Sequence, residues 1–170
     1  MTAQVTFRQA DERDLGLLVE LFDGVARWMV RGGIDQWKPG ARGPGHFRAR
    51  IAEGEVWLAA HGGRTVGAYE LWWEDPEVWG PQPPVAGYVH RLMTDREAAP
   101  TGAGRALLAH AEGRIAASGR TLARLDCEAR TPVLGTYYEA AGYADAAPRL
   151  EKTGADGRRY AVRLLEKALA

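Results

Sequence analysis

Apolar and polar residues alternate from the start of the chain. Val5 and Phe7, extended to Gln9, predict a strand near 4–9. Asp11 is a helix cap, and Leu15, Leu18, Phe22, Val25 and Met29 recur at helical spacing until Gly32-Gly33 stops them. Residues 34–45 read I-D-Q-W-K-P-G-A-R-G-P-G, a loop by composition. It carries Ile34 and Trp37, which a solvated linker does not need, so the loop is expected to pack over something. A short helix is expected around 46–53. Strands at 56–60 and 65–73 form a hairpin around the turn H-G-G-R at 61–64. The stretch 74–84, E-D-P-E-V-W-G-P-Q-P-P, reads as a loop because its prolines forbid ladder hydrogen bonds. A strand at 86–94 follows, then a polar segment broken by Pro100. A helix at about 102–118 buries Leu107, Leu108, Ala111 and Ile115, and Gly119 ends it. A strand at 122–129 leads to a helix at 132–141, with Pro132 in its first turn and Gly142 as its stop. Strands at 143–151 and 158–166 flank the turn T-G-A-D-G.

The order is β-α-α-β-β-β-α-β-α-β-β. The strand–helix–strand unit at 86–129 is expected to be parallel and right-handed, and the hairpins around it antiparallel. The fold class is therefore α/β (α+β): one mixed, mostly antiparallel central sheet of about seven strands, a parallel β-α-β unit and about four helices. No linker divides residues 1–170, so a single domain is expected.

The chain has 22 basic and 22 acidic residues, so nothing favours nucleic acid or a membrane surface as partner. Cys127 is the one cysteine, which excludes an internal disulfide and suits a reducing cytoplasm. Residues 1–10 lack an apolar signal core, and no apolar run is long enough to span a bilayer. Of six tryptophans, Trp37, Trp72, Trp73 and Trp79 lie in or beside expected loops, which hints at an aromatic-lined pocket; for any one of them plain packing is the favoured explanation.

Between the strand at 86–94 and the helix at 102–118, Gly102 and Gly104 let the backbone approach a ligand closely. The first amides of a helix lack intrahelical partners and sit at its positive end, so a strand, a glycine turn and a helix start suit an anion, most often phosphate. Gly104 is followed by Arg105 and Ala106, not Lys and Ser or Thr, which argues against a nucleotide P-loop.

Three signatures then resemble the GCN5-related N-acetyltransferase (GNAT) family, over nearly the whole chain. R-L-M-T-D at 91–95 with A-P-T-G-A-G-R-A-L-L at 99–108 looks like the family's pyrophosphate loop; L-A-R-L-D-C at 122–127 looks like its next strand; and Y-Y-E-A-A-G-Y at 137–143 is similar to its Y-E-x-x-G-F element. Ala99 stands where the family has Arg or Gln, and Pro100 follows it. This removes a loop-ordering side chain and leaves the amide cradle. Thr131 stands where the family often has Asn, seven residues before the helical tyrosine.

The resemblance implies an acetyl-CoA-dependent N-acetyltransferase that acts by direct attack of a primary amine of a small molecule, with no metal. The alternative is a non-catalytic acyl-CoA-sensing module of the same fold. The amides of Gly102, Ala103, Gly104, Arg105 and Ala106 are expected to hold the CoA pyrophosphate. Backbone groups of Leu92, Met93 and Thr94 would pair with the pantetheine arm as an added strand does, and Thr131 belongs among the cofactor contacts. Tyr138 matches the position that protonates the leaving thiolate, while Tyr137 faces the core. Two base candidates stay open. His90 shares a strand face with Tyr88 and Leu92, and Glu70 lies on the preceding strand. Asp126 is able to orient a cationic amine or to brace the helix at 132. Asp35, Trp37 and Trp73 belong to the loops or loop edges that would roof the acceptor. Cys127 is read as core. A homodimer is an expectation of the family alone, since no seam is legible.

Overall fold

In the computed structural model, which describes residues 4–154 and 157–170, the cap expected at Asp11 is a capping box. The Asp11 carboxylate accepts from the Arg13 amide at 2.9 Å, and Asp14 accepts from the Asp11 amide at 2.9 Å. A 3-10 turn follows and runs into the first helix. In chain order the elements are β1 (Thr6–Gln9), α1 (Leu15–Arg31), α2 (Pro44–Glu53), β2 (Glu55–His61), β3 (Arg64–Trp72), α3 (Pro76–Trp79) and β4 (Ala86–Thr94). Then come α4 (Ala103–Ala117), β5 (Leu122–Glu128), α5 (Pro132–Ala140), β6 (Ala144–Thr153) and β7 (Arg159–Ala168). Residues 155–156 of the expected T-G-A-D-G turn, and residues 1–3, lie outside the described residues.

Two compact units are distinguished: Met1–Trp72 with Arg91–Ala111, and Trp73–His90 with Glu112–Ala170. In the first, β1, β2 and β3 are antiparallel neighbours, with Arg8 opposite Leu58 and Trp57 opposite Tyr69. Alternation sends Val56, Leu58 and Ala68 into one core with Leu18, Phe22, Val25, Phe47 and Met93. The loop expected to pack does so, since Trp37 stacks on Phe22 with ring centroids 4.9 Å apart. On α4, His110 stacks on Phe7 at 4.0 Å and hydrogen-bonds with the Tyr69 hydroxyl at 2.7 Å. Gly67 is needed where β3 passes close by: a Cβ there would stand 2.8 Å from both the Met93 carbonyl oxygen and Leu107 Cδ1.

In the second unit β4 and β5 are parallel, with Tyr88 opposite Arg124, as the β-α-β reading requires. β7 pairs antiparallel with both β5 and β6. Along the chain of pairings the seven strands run β1-β2-β3-β4-β5-β7-β6, a mixed and mostly antiparallel sheet.

The stretch 74–84 is not loop throughout. It contains the single-turn helix α3, so the described residues hold five α-helices where about four were expected. The prolines do forbid a ladder there, but Pro76 at the first helical position has its φ preset. The amides of Val78 and Trp79 then close onto the Asp75 carbonyl at 3.3 and 2.9 Å. Among the described residues, no helix is long and apolar enough to cross a membrane.

Candidate active site

In the first unit, Glu70 on β3 is fully buried. It accepts from His46 Nε2 at 2.8 Å, Trp72 Nε1 at 3.0 Å and the Arg91 guanidinium at 3.0 Å. Burial alone would raise its pKa, but the His46 hydrogen bond and the Arg91 charge outweigh it and hold the carboxyl below its ordinary value. It is an ionised anchor whose oxygens are already engaged.

Among the described residues, Arg91 is the one non-glycine residue with positive φ, at 44°. Such a backbone costs about 1–3 kcal/mol and persists where its surroundings fix it. Here the ion pair to Glu70 does so. The kink falls between His90 and Leu92–Thr94, so strict alternation, which would put Leu92 on the face of Tyr88 and His90, does not extend past it.

The segment after β4 is folded by Asp95. Its carboxylate accepts from the amides of Glu97 and Ala98 at 2.9 and 3.0 Å, and its carbonyl from Ala99 at 2.9 Å. Arg64 reaches its other oxygen at 3.3 Å. This is the loop-ordering group that Ala99 does not supply, and sequence reading missed it; Asp two to three residues before free amides was the available signal. Gly102 has φ +87°. The Ala103 amide bonds to the Pro100 carbonyl at 3.1 Å and the Ala106 amide to the Gly102 carbonyl at 3.0 Å. These two of the five amides expected to hold phosphate are thus spoken for. The amides of Gly102 and Gly104 have no acceptor among the described residues. Arg96 lies flat over Trp28, 3.7 Å from the ring centroid. Asp35 is exposed and pairs with Lys38 at 2.7 Å.

In the second unit, His90 Nε2 is 2.9 Å from Asp75 Oδ2. The Asp75 side chain is 3 % exposed and His90 13 %. Asp126 on β5 lies two residues beyond Arg124, as His90 lies two beyond Tyr88. The paired register therefore sets His90 and Asp126 on one face of the parallel pair. Lys152 Nζ approaches Asp126 at 3.4 Å. On the same face Arg124 donates to the Tyr88 hydroxyl at 3.0 Å and to Glu166 at 2.7 Å, with the Trp79 ring 4.9 Å from its guanidinium carbon. Trp73 is held by Arg120, which donates to its carbonyl at 2.7 Å and faces its ring at 5.1 Å. Asp75 belongs to the stretch 74–84 that reads as a loop. It is buried because α3 folds it inward.

Tyr138, on α5, packs edge-on to Tyr137 and Tyr143, with centroids 5.3 and 6.1 Å away. Its hydroxyl has no hydrogen-bond partner among the described residues. Burial, reinforced by Tyr137, pushes the phenol above its ordinary value, so it stays protonated and able to donate. Thr131 caps α5 through its backbone, its carbonyl accepting from Leu134 at 3.1 Å, and its side chain makes no cap bond. Cys127 is buried, as expected.

A sequence model described as "Acetyltransferase (GNAT) domain" matches residues 28–164. No curated protein matches the chain by sequence. Among solved structures it is similar to a GNAT-family acetyltransferase from Listeria monocytogenes, with a TM-score of 0.77 and 24% identity over 98% of this chain and 96% of that one. It is also similar to the PaiA N-acetyltransferase of Thermoplasma acidophilum in complex with coenzyme A, with a TM-score of 0.71 and 18% identity over 97% and 99%. A third is yncA of Salmonella typhimurium with its cofactor acetyl-CoA, with a TM-score of 0.69 and 15% identity over 98% and 94%. At these identities the likeness is one of fold.

Proposed function

Because the chain belongs to the GNAT family of acetyltransferases, we propose that it carries an acetyl group from acetyl-CoA to the primary amine of a small molecule by direct attack. The observation that carries this reading is the start of α4. Asp95 folds the approach, and two glycine amides without acceptors stand at the positive end of a fifteen-residue helix. That arrangement fits a pyrophosphate, and acetyl-CoA supplies the activated acyl group.

The chain must then neutralise the amine and protonate the leaving sulfur. His90 is the base. Asp75 accepts from its Nε2, fixes the ring and stabilises the imidazolium that forms when the amine gives up its proton. Asp126, on the same strand face, attracts the amine while it is still cationic. Glu70 is not the base, because three donors already satisfy it; it anchors Arg91. Tyr138 gives its proton to the departing thiolate. Its unpartnered hydroxyl and raised pKa suit a donor that remains charged with its proton.

The test is thiol release from acetyl-CoA across a panel of amines, with kcat/KM followed against pH. A rising acid limb is expected that His90→Ala removes. Tight acetyl-CoA binding with no thiol release for any amine, unaffected by Tyr138→Phe, would return the sensing-module reading.

A further inference from the structure

We propose that Asp75, His90 and Asp126 form a binding site for one divalent transition-metal ion of the zinc or cobalt kind. The three residues come from three elements: the cap of α3, β4 and β5. One donor atom from each lies within 4.8 Å of the other two. Zinc–oxygen and zinc–nitrogen bonds of about 2.0–2.2 Å place tetrahedral ligands roughly 3.4 Å apart, so side-chain shifts of about 1 Å close the set. The side chains are 3 %, 13 % and 12 % exposed, so the donors are largely out of water.

Charge favours the same occupant. Two carboxylates converge on one imidazole, and a divalent ion with a neutral histidine balances them. The cationic groups on neighbouring elements are mostly committed elsewhere: Arg124 to Glu166, Arg130 and Arg158 to Glu128. Lys152 is the competitor. At 3.4 Å from Asp126 and 31 % exposed, it has the freedom to swing away. One nitrogen and two carboxylate oxygens suit zinc, cobalt or manganese. Magnesium prefers an all-oxygen shell that keeps its waters. Binding displaces a proton from the His90–Asp75 hydrogen bond, so affinity rises with pH.

No metal takes part in the transfer reaction proposed above. An ion in place of the Nε2 proton leaves the ring proton on Nδ1, so His90 has no lone pair left for the amine's proton, and metal binding and acetyl transfer exclude each other. This last consequence rests on the role given to His90; the site itself does not.

The experiment is a titration of the metal-free full chain with Co²⁺, read by visible absorption, and with Zn²⁺, read by calorimetry. One equivalent is expected to bind, more tightly and with smaller proton release as pH rises. Asp75→Asn, Asp126→Asn and His90→Ala should each weaken binding by at least about tenfold. His61→Ala, which removes an exposed histidine, should leave it unchanged. Circular dichroism of each variant separates a lost ligand from a lost fold. Absence of saturable binding, or affinity in the two Asp→Asn variants undiminished from that of the unsubstituted chain, overturns the site. Because binding is read without turnover, a failed amine panel does not touch it, and its own failure leaves the transferase reading standing. Full transfer activity with the site saturated by Zn²⁺ would overturn the mutual exclusion alone.

Discussion

Replacing Glu70 by Gln leaves the half-buried Arg91 guanidinium facing a neutral amide where it now meets a carboxylate. Breaking one side of a buried pair costs about 3–5 kcal/mol, and here a left-handed backbone at Arg91 loses its tether as well. The expected outcome is a urea midpoint lowered accordingly, with acetyl-CoA affinity reduced because Leu92–Thr94 follow the released kink. An unchanged midpoint would mean that Arg91 is held by something other than its anion. For Tyr138→Phe the expectation differs: kcat should fall by about 10²–10⁴-fold with little change in acetyl-CoA affinity or stability. Among the described residues the hydroxyl has no partner to lose. Titration calorimetry beside steady-state kinetics separates the two effects.

At the scale of elements, Asp95 and Gly67 matter for different reasons. Asp95→Ala frees two amides and the Arg64 contact, so the segment leading into α4 loosens. Acetyl-CoA affinity should drop by about tenfold, consistent with roughly 1.4 kcal/mol of lost loop preorganisation, and calorimetry measures it directly. Gly67→Ala drives a methyl against the Met93 carbonyl and Leu107. About 1–3 kcal/mol of stability should be lost, read from thermal unfolding. The strands and long helices were legible in the sequence because period-two and helical spacing are local properties. Leu107, Leu108, Ala111 and Ile115 are indeed the buried face of α4. The turn of α3 was not legible, since the four prolines of 74–84 read alike whether they break a strand or, as Pro76 does, open a helix. Neither was the burial of Glu70, whose decisive partner His46 is 24 residues away and on another element. Arg91's positive φ has no local signal in an apolar strand. The glycine turn before α4 was legible as spacing, but the side chain that orders the segment leading to it, Asp95, depended on a turn bond that pattern reading passes over.

For the molecule as a whole, the paired carboxylates set the response to acid. Glu70, Asp14 and Asp95 all lie below their ordinary values: burial opposes this at Glu70 and Asp95, while the Arg8 hydrogen bond leads at Asp14. A group whose folded-state pKa is depressed contributes stability above its unfolded value and loses it as pH falls through the folded one. Stability should therefore be flat through neutrality and decline progressively below about pH 4, which urea unfolding at stepped pH would display. The balance of 22 basic and 22 acidic residues also places the isoelectric point near 6.9. Light scattering should show the greatest self-association close to that pH, where net charge no longer keeps copies apart.

The burial of Cys127 has a practical consequence. The folded chain's one thiol is 5% exposed, and burial pushes its pKa up to about 11, so at neutral pH it is protonated and shielded. A colorimetric disulfide reagent added to a turnover mixture therefore reports coenzyme released from its thioester and nothing from the protein. Once the chain unfolds, the same reagent gains one equivalent of colour per molecule, turning a kinetic assay into a clock for loss of the fold.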